Sequence, residues 1–207
     1  MMQKKQILIS VSFLCLSQWT IAADYELYLN ESYRAGGQFE SYQTRETLEV
    51  HAAASTDLVY SHRLDANRFF ELLYSRQSTE LRGQRTSTGK LFDVDISYLH
   101  LGGTSEFYQQ GKTVGYGVGG LGATHYSPSN GFSSETRFSM SFGVGVKHYV
   151  SEHLVLRADA KLFATFLNSE GGIFCGGSSG GNGGCAVVVD GDVAAQYAVG
   201  AGLGFRF

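Results

Sequence analysis

The chain has 207 residues, of which 27 are glycine and one is proline, with 13% aromatic residues and a formal net charge of −3. Mean hydropathy is −0.09 and no long apolar run follows residue 23, which disfavours a membrane protein built from helices. The charge has no basic excess, so we expect no nucleic-acid partner. Abundant glycine, tyrosine and phenylalanine favour strands and turns.

Residues 1–23 have the organisation of a secretory signal peptide. Lys4 and Lys5 precede an apolar stretch at residues 7–16, and small residues end at Ala22 and Ala23. We expect cleavage after one of these alanines, leaving residues 24–207 as a single domain. The leader carries two lysines and no acid, so its removal takes the net charge from −3 to −5.

The last fifteen residues, 193–207, alternate with a period of two. One set is apolar throughout: Val193, Ala195, Tyr197, Val199, Ala201, Leu203, Phe205 and Phe207. The other set is small or polar, from Gln196 to Arg206. This pattern predicts a strand between two different solvents, and its length and aromatic ends suit a tilted crossing of an outer membrane. The last strand of a soluble β-domain would show the same alternation.

The same period recurs along the chain and predicts eight strands. They begin near residues 25, 48, 69, 91, 114, 136, 154 and 193. Long polar connections at residues 36–46, 79–90, 127–134 and 168–192 alternate with short turns. This asymmetry favours an all-β fold, an eight-stranded antiparallel up-and-down transmembrane β-barrel. A soluble sandwich or a lipocalin is the alternative, with its apolar faces turned inward.

The polar faces of the predicted strands carry acids and bases among small neighbours. We expect the following residues to form an ion-pair network in the lumen: Glu49, Asp57, Glu71, Asp93, Asp95, Arg137, Lys147, Arg157, Asp159, Lys161 and Arg206. An eight-stranded barrel is just wide enough for side chains to fill it, and buried charges need partners. The network would therefore plug the lumen, and a relay for protons or small ions is the alternative.

In the fifth predicted strand, large residues alternate with glycines. Val114, Tyr116 and Val118 would form the apolar face, and the glycines at 115, 117 and 119 would line a strongly bent inner face.

Two cysteines follow the leader, Cys175 and Cys185, on either side of a Gly/Ser tract. In an exported protein they meet an oxidising compartment, so we expect a disulfide that staples an exposed loop. A metal site is disfavoured because that loop has no histidine and no further cysteine. The histidines elsewhere in the chain also lack ligand-like spacing, so we expect no metal and no cofactor.

Several blocks of the sequence resemble the small outer-membrane β-barrels of Gram-negative bacteria, the group with OmpA-type, OmpX-type and OmpW-like members. The blocks are FELLYSRQST from Phe70, FDVDISYLHLGG from Phe92, GGLGATHYSP from Gly119, ETRFSMSFG from Glu135, and Phe174-Cys175 with Cys185. The closing Gly204-Phe205-Arg206-Phe207 resembles the signal by which such barrels enter the assembly machinery. The resemblance implies location in the cell outer membrane, contact with membrane lipid and lipopolysaccharide, and a monomer.

One segment also resembles the outer-membrane lipid A deacylases. His125-Tyr126-Ser127, with Asn130 and Glu135 nearby, is similar to their His-x-Ser arrangement and acid. The match is partial, because Pro128 follows the serine where those enzymes place an asparagine. Alternation also predicts that His125 faces the lumen with Gly115, whereas this chemistry needs access to lipid.

The sequence therefore predicts a non-enzymatic outer-membrane scaffold that presents four loops outside the cell. A narrow OmpW-like conduit for small apolar solutes is the second hypothesis, and a lipid A deacylase is the third.

Overall fold

The computed structural model describes residues 24–41, 46–83, 89–129, 131–167, 172–176, 184–188 and 193–207. The predicted leader and Asn130 lie outside these ranges. The strands are β1 (Tyr25–Gly36), β2 (Gln38–Ser41), β3 (Glu46–Val50), β4 (Ala53–Arg63), β5 (Arg68–Gly83), β6 (Lys90–Gln110), β7 (Thr113–Pro128), β8 (Glu135–Tyr149), β9 (Leu154–Phe166), β10 (Gly172–Gly176), β11 (Gly184–Val188) and β12 (Val193–Arg206). Within the described ranges, no helix is long and apolar enough to cross a membrane.

Eight of these strands close into a barrel. The order around the wall is β1, β4, β5, β6, β7, β8, β9 and β12, each antiparallel to its neighbours, and β12 pairs back onto β1. The predicted eight-stranded up-and-down barrel is thus confirmed. The short strands form two hairpins, β2–β3 and β10–β11, in the first and last long connections.

The wall presents its large apolar side chains to the outside. On β1, Leu29 and Tyr33 are 58% and 60% exposed, whereas their chain neighbours Tyr28 and Arg34 are fully buried. The outward belt continues on every barrel strand, for example through Leu58, Leu72, Leu101, Leu121, Phe142, Leu156 and Val199. A barrel with apolar side chains outside and polar ones inside fits a lipid surround. The soluble sandwich, with an apolar interior, is therefore wrong.

The first long connection shifts the phase of the second predicted strand. Residues 51 and 52 leave the ladder between β3 and β4, while the backbone N–H of Val50 donates to the carbonyl of Gly37. Because one residue of slip exchanges the two faces of a strand, Leu48 and Val50 are buried and Glu49 is exposed. The predicted placement of Glu49 in the lumen is therefore wrong.

Strands β5 and β6 rise beyond the apolar belt at the loop end, the end of the barrel that carries the long connections. There the wall faces water, so polar residues turn outward and apolar ones inward. Phe92, Val94 and Ile96 are buried, whereas Asp93 and Asp95 face out. The prediction that these two carboxylates line the lumen is wrong, because it assumed one outer solvent along the whole strand.

The phase predicted for β7 is also inverted. Tyr116 is fully buried, while Gly119, Leu121 and His125 are exposed. The ladder between β6 and β7 shifts its register between Glu106 and Tyr108, the mark of a bulge. The outward glycines remove side chains from the lipid face instead of lining the lumen.

Candidate functional site

The barrel interior begins, at the end with the short turns, with a buried cluster around Lys147. This lysine on β8 lies 2.8 Å from Oε2 of Glu26 on β1, and both side chains are fully buried. Nζ of Lys147 is also 3.7 Å from Oε1 of Glu106. The hydroxyl of Tyr28 donates to the same Glu26 oxygen at 2.5 Å. The charge of Lys147 is thus held between two carboxylates from different sides of the barrel.

A second set of ion pairs crosses the middle of the lumen. Arg157 on β9 donates through Nη1 and Nη2 to the two oxygens of Glu71 on β5, at 2.9 and 3.3 Å. Its Nε donates to Asp159 at 2.9 Å, and Lys161 lies 2.7 Å from the other oxygen of Asp159. Thr104 donates a further hydrogen bond to Glu71 at 2.8 Å. Bidentate geometry and extra donors are what a buried pair needs to offset the cost of desolvation.

The chain of charges continues toward the loop end through Asp57. Lys161 lies 3.9 Å and Arg34 lies 3.5 Å from the two carboxylate oxygens of Asp57. The guanidinium of Arg34 sits over the rings of Tyr98 and Phe163, with centroids 4.8 and 4.7 Å away. Aromatic faces stabilise a desolvated cation, so the two rings add to the stabilisation that Asp57 gives to the buried charge of Arg34.

Aromatic rings separate the two groups of charges. Arg157 lies 5.0 and 4.9 Å from the ring centroids of Tyr28 and Tyr116, and Lys147 lies 4.2 Å from that of Phe69 on its own side. Tyr116 also donates to Asp159 at 2.9 Å. The ring centroids of Tyr28 and Tyr116 also lie 5.5 and 5.6 Å from Nζ of Lys147, so these two rings contact both cations.

Above Arg34 the interior becomes apolar. A buried cluster occupies the loop end and includes Leu48, Val50, Leu81, Phe92, Val94, Ile96, Tyr126 and Leu167, with Phe132 packed against it. This part of the interior is a packed core in the ordinary sense. The lumen thus has a charged section below and an apolar section above.

Six of the residues predicted for the lumen network lie in this buried system: Asp57, Glu71, Lys147, Arg157, Asp159 and Lys161. Five do not. Glu49 is exposed and accepts a hydrogen bond from Gln38. Three others form ion pairs outside the network: Asp93 with Lys90 at 2.7 Å, Asp95 with Arg76 at 2.8 Å, and Arg137 with Glu135 at 2.6 Å. The guanidinium of Arg206 lies over the ring of Tyr149 at the turn end.

Three charged members of the network were missed from the sequence: Glu26, Arg34 and Glu106. Glu26 and Arg34 share the phase of Asn30 and Ser32 on β1, so alternation alone was enough to place them inside. Glu106 precedes the register shift on β6, and no alternation in the sequence marks that shift.

The cysteines lie opposite each other in the hairpin of the last long connection. Cys175 on β10 is the direct partner of Cys185 on β11. Facing residues of an antiparallel pair have Cα atoms about 4.5 to 5.5 Å apart, within the range that a disulfide spans. The side chains themselves lie outside what the structure describes, so the disulfide stays a prediction.

The aromatic terminus takes part in the closing seam. The backbone N–H of Phe207 donates to the carbonyl of Tyr25 at 3.0 Å, and that of Tyr25 to the carbonyl of Phe207 at 3.2 Å. The ring of Phe207 stacks on those of Tyr25 and Phe205, with centroids 5.9 and 6.3 Å apart. The last residue therefore seals the barrel where β12 meets β1.

His125 and Ser127 of the segment resembling the deacylases face outward, which corrects the predicted lumen-facing phase of His125, whereas Glu135 lies on the inward face of β8. The Nδ1 atom of His125 lies 2.9 Å from the hydroxyl of Thr136, and Glu135 pairs with Arg137. Ser127 is exposed on the same face as His125. Ser127 is the direct partner of Asp95, at the level where the wall faces water, and the histidine and the acid are both engaged with other residues.

Among the described residues, no three His, Cys, Asp or Glu side chains are grouped so that they could hold a metal ion. The acidic groups of the lumen are instead engaged by the lysines and arginines named above.

No protein-family model matches the sequence, and no curated protein matches it. Solved structures do. Neisserial surface protein A aligns with a TM-score of 0.58 at 14% identity, covering 88% of this chain and 97% of that one. The outer membrane protein OprG from Pseudomonas aeruginosa aligns with a TM-score of 0.57 at 14% identity, covering 89% and 96%.

The outer membrane protein AlkL, solved in lipid bilayers, aligns with a TM-score of 0.60 at 12% identity, covering 100% of this chain and 97% of that one. At these identities the likeness concerns the fold. Together with the closed ladder and the outward apolar belt, it establishes that this chain has the fold of the small eight-stranded outer-membrane β-barrels.

Proposed function

We propose that the protein is an integral scaffold of the outer membrane of a Gram-negative cell, with a sealed lumen and without enzymatic activity. Residues 1–23 direct export and are removed. The barrel is a monomer in contact with membrane lipid and lipopolysaccharide, and the seam at Phe205 and Phe207 is what the assembly machinery reads. The long connections face outside the cell and the short turns face the periplasm.

The observation that supports this proposal is the run of buried side chains along the barrel interior. Buried ion pairs run from Glu26 to Arg34, and a packed apolar cluster follows at the loop end. Passage of a solute would require separating buried partners, and each uncompensated charge costs about 3 to 5 kcal/mol. This supports a plug over an open channel, and the buried apolar side chains at the loop end favour a plug over a conduit for apolar solutes.

Single-channel recording in planar bilayers tests the plug. We expect no conductance steps from the wild-type protein. An Arg34→Ala, Tyr98→Ala variant, which removes two large buried side chains from one level of the lumen, should admit ions. A Tyr33→Ala, Tyr197→Ala variant removes two exposed side chains from the outer wall and should stay silent. Regular conductance steps from the wild type would overturn the proposal.

Uptake separates the scaffold from the conduit. Cells that make the protein and cells that lack it are compared for uptake of a radiolabelled apolar solute across the outer membrane. We expect equal rates, because buried apolar side chains occupy the loop end of the interior. Faster uptake in the presence of the protein, abolished by Phe92→Trp inside the cluster, would favour the conduit.

The loops are the part available to a partner. In the hairpin β2–β3, β3 pairs with the loop end of β5, and β11 of the other hairpin lies beside β2. Binding of protein-bearing cells to cultured host cells is measured with residues 168–192 deleted and a Gly-Ser-Gly turn inserted to connect the paired strands β9 and β12, and with residues 84–88 deleted as the control. We expect only the first deletion to abolish binding while the barrel stays folded. Undiminished binding after the first deletion would show that residues 168–192 are not a surface that binds host cells.

A further inference from the structure

A groove crosses the lipid-facing wall at the periplasmic side of the belt. Its floor is the outward face of β6 and β7, where Gly103, Ser105, Gly117 and Gly119 stand in place of large side chains. The volume is about 490 Å³, within the range of small-molecule sites. Such a depression lies in contact with the bilayer, so hydrocarbon is the solvent that meets it.

Large side chains surround the bare floor. Phe107, which is 70% exposed, closes the periplasmic end and lies over the outward face of Gly117. Phe142 and Val144 on β8 are the direct partners of Gly119 and Gly117, and both point outward. The groove is thus a slot between side chains. The hydrogen bonds of β7 with β6 and β8 satisfy the backbone polar groups of its floor, as lipid contact requires.

A cation stands at the periplasmic mouth of the slot. Arg68 lines the groove at the start of β5, beside Leu64 of the preceding turn. Asp65 accepts hydrogen bonds from Nε of Arg68 at 2.6 Å and pairs with Nη2, which fixes the direction of the guanidinium. A guanidinium has five N–H donors, so further donors remain for a phosphate at the membrane interface.

We propose that this groove is a binding site for one anionic glycerophospholipid of the periplasmic leaflet. One acyl chain lies along the glycine floor between Phe107 and Phe142, and the headgroup phosphate accepts from Arg68. The guanidinium of Arg68 matches the phosphate of that lipid, and the apolar slot matches its acyl chain. An acyl chain in the groove gains dispersion contacts with its walls, which favours a bound lipid over rapid exchange with the bulk bilayer.

The glycines allow the groove to be filled without disturbing the barrel. A Cβ at Gly119 would meet only the carbonyl of Ser141, at 3.8 Å, and one at Gly117 only the Phe107 ring and the carbonyl of Gly143, at 3.9 and 4.0 Å. Gly119→Leu therefore occupies the slot, and Gly117→Leu is a second variant with the same purpose. Ala123→Leu, outward on β7 but outside the groove, is the matched control.

The experiment measures which lipid lies beside Phe107. The single tryptophan of the sequence, Trp19, lies in the leader, so Phe107→Trp places one fluorophore of the barrel at the groove, and Leu156→Trp places one on the far wall. The protein is reconstituted into phosphatidylcholine vesicles doped with phosphatidylglycerol that carries bromine on its acyl chains. We expect the F107W reporter to be quenched several-fold more than the L156W reporter at low doping.

The variants separate the two parts of the site. Gly119→Leu should reduce quenching of the F107W reporter to that of the L156W reporter, whereas Ala123→Leu should leave it unchanged. Arg68→Gln should remove the preference for brominated phosphatidylglycerol over brominated phosphatidylcholine, and Arg76→Gln, at the loop end of the same strand, should not. Equal quenching of the two reporters, or insensitivity to Gly119→Leu and Gly117→Leu in folded protein, would overturn the proposal.

Discussion

Arg157 reaches across the full width of the barrel to Glu71, with two hydrogen bonds of 2.9 and 3.3 Å. The two residues stand 86 positions apart in the chain, on β9 and β5, which are opposite strands of the wall. The pair therefore braces the closed cylinder from inside, and it forms only when all eight strands have taken their places.

Loss of one partner of this brace should destabilise the barrel. Arg157→Met leaves Glu71 buried without its main partner, so we expect the free energy of unfolding to fall by about 3 to 5 kcal/mol. Urea unfolding in lipid vesicles measures the change. Arg76→Gln, which breaks the exposed pair with Asp95, is the control and should cost less than about 1 kcal/mol. Equal effects of the two substitutions would contradict a bracing role.

Gly145 provides space for the inward ring of Tyr116. The two residues are direct partners on β8 and β7, and a Cβ at Gly145 would come within 2.5 Å of the Tyr116 ring and hydroxyl. Gly145→Ala should displace the tyrosine from Asp159 and lower the free energy of unfolding by about 1 to 3 kcal/mol. Gly117→Ala, which meets nothing closer than 3.9 Å, should be tolerated. The same urea titration compares them, and a neutral Gly145→Ala would count against the tight packing.

The register of the β10–β11 hairpin predicts that Cys175 and Cys185 are oxidised in protein isolated from cells. Intact mass after alkylation without reductant should show no added label, and two labels after reduction. A Cys175→Ser, Cys185→Ser variant should be cleaved faster by protease within residues 168–192, since a disulfide that closes a loop of this length stabilises it by about 2 to 3 kcal/mol. Alkylation of both thiols before reduction would refute the disulfide.

The periplasmic turn should respond to acid through Asp65. Hydrogen bonds from the Arg68 side chain and from the backbone N–H of Asn67 hold the pKa of Asp65 below its ordinary value of 3.8. A depressed carboxyl pKa stabilises the fold above the unfolded pKa, and this contribution is lost as the pH falls through the folded pKa. Asp65→Asn should therefore be less stable than wild type at neutral pH, and the difference should shrink below pH 3.8. Urea midpoints across that range test this, with Glu152→Gln in another turn as the control. A difference that persists unchanged in acid would exclude the titration of Asp65.

The outward His125 and Ser127 give a direct test of the deacylase alternative. Because His125 contacts Thr136 and Glu135 pairs with Arg137, we expect no serine nucleophile here. Mass spectra of lipid A from cells with wild-type protein, with Ser127→Ala and without the protein should be the same. Loss of an acyl chain only with the wild type would establish the enzyme.

Sequence periodicity by itself determined the architecture and the faces of several strands. On β9, Leu156 points out while Arg157, Asp159 and Lys161 point in, as alternation predicts. This works because a strand places successive side chains on opposite faces and the lipid-facing side strongly favours apolar groups. The number of barrel strands and the alternation of long and short connections were likewise predicted from the sequence.

Only the tertiary structure decided how high each strand stands in the belt and what lies across the lumen. Asp93 and Asp95 point outward because their part of β6 stands above the lipid, where the outside is water. Alternation separates two faces of a strand but does not say which solvent each face meets, and a bulge or a break exchanges them without a mark in the pattern. The partnership of Arg157 with Glu71 depends on closure of the cylinder, a long-range geometry that no local pattern contains.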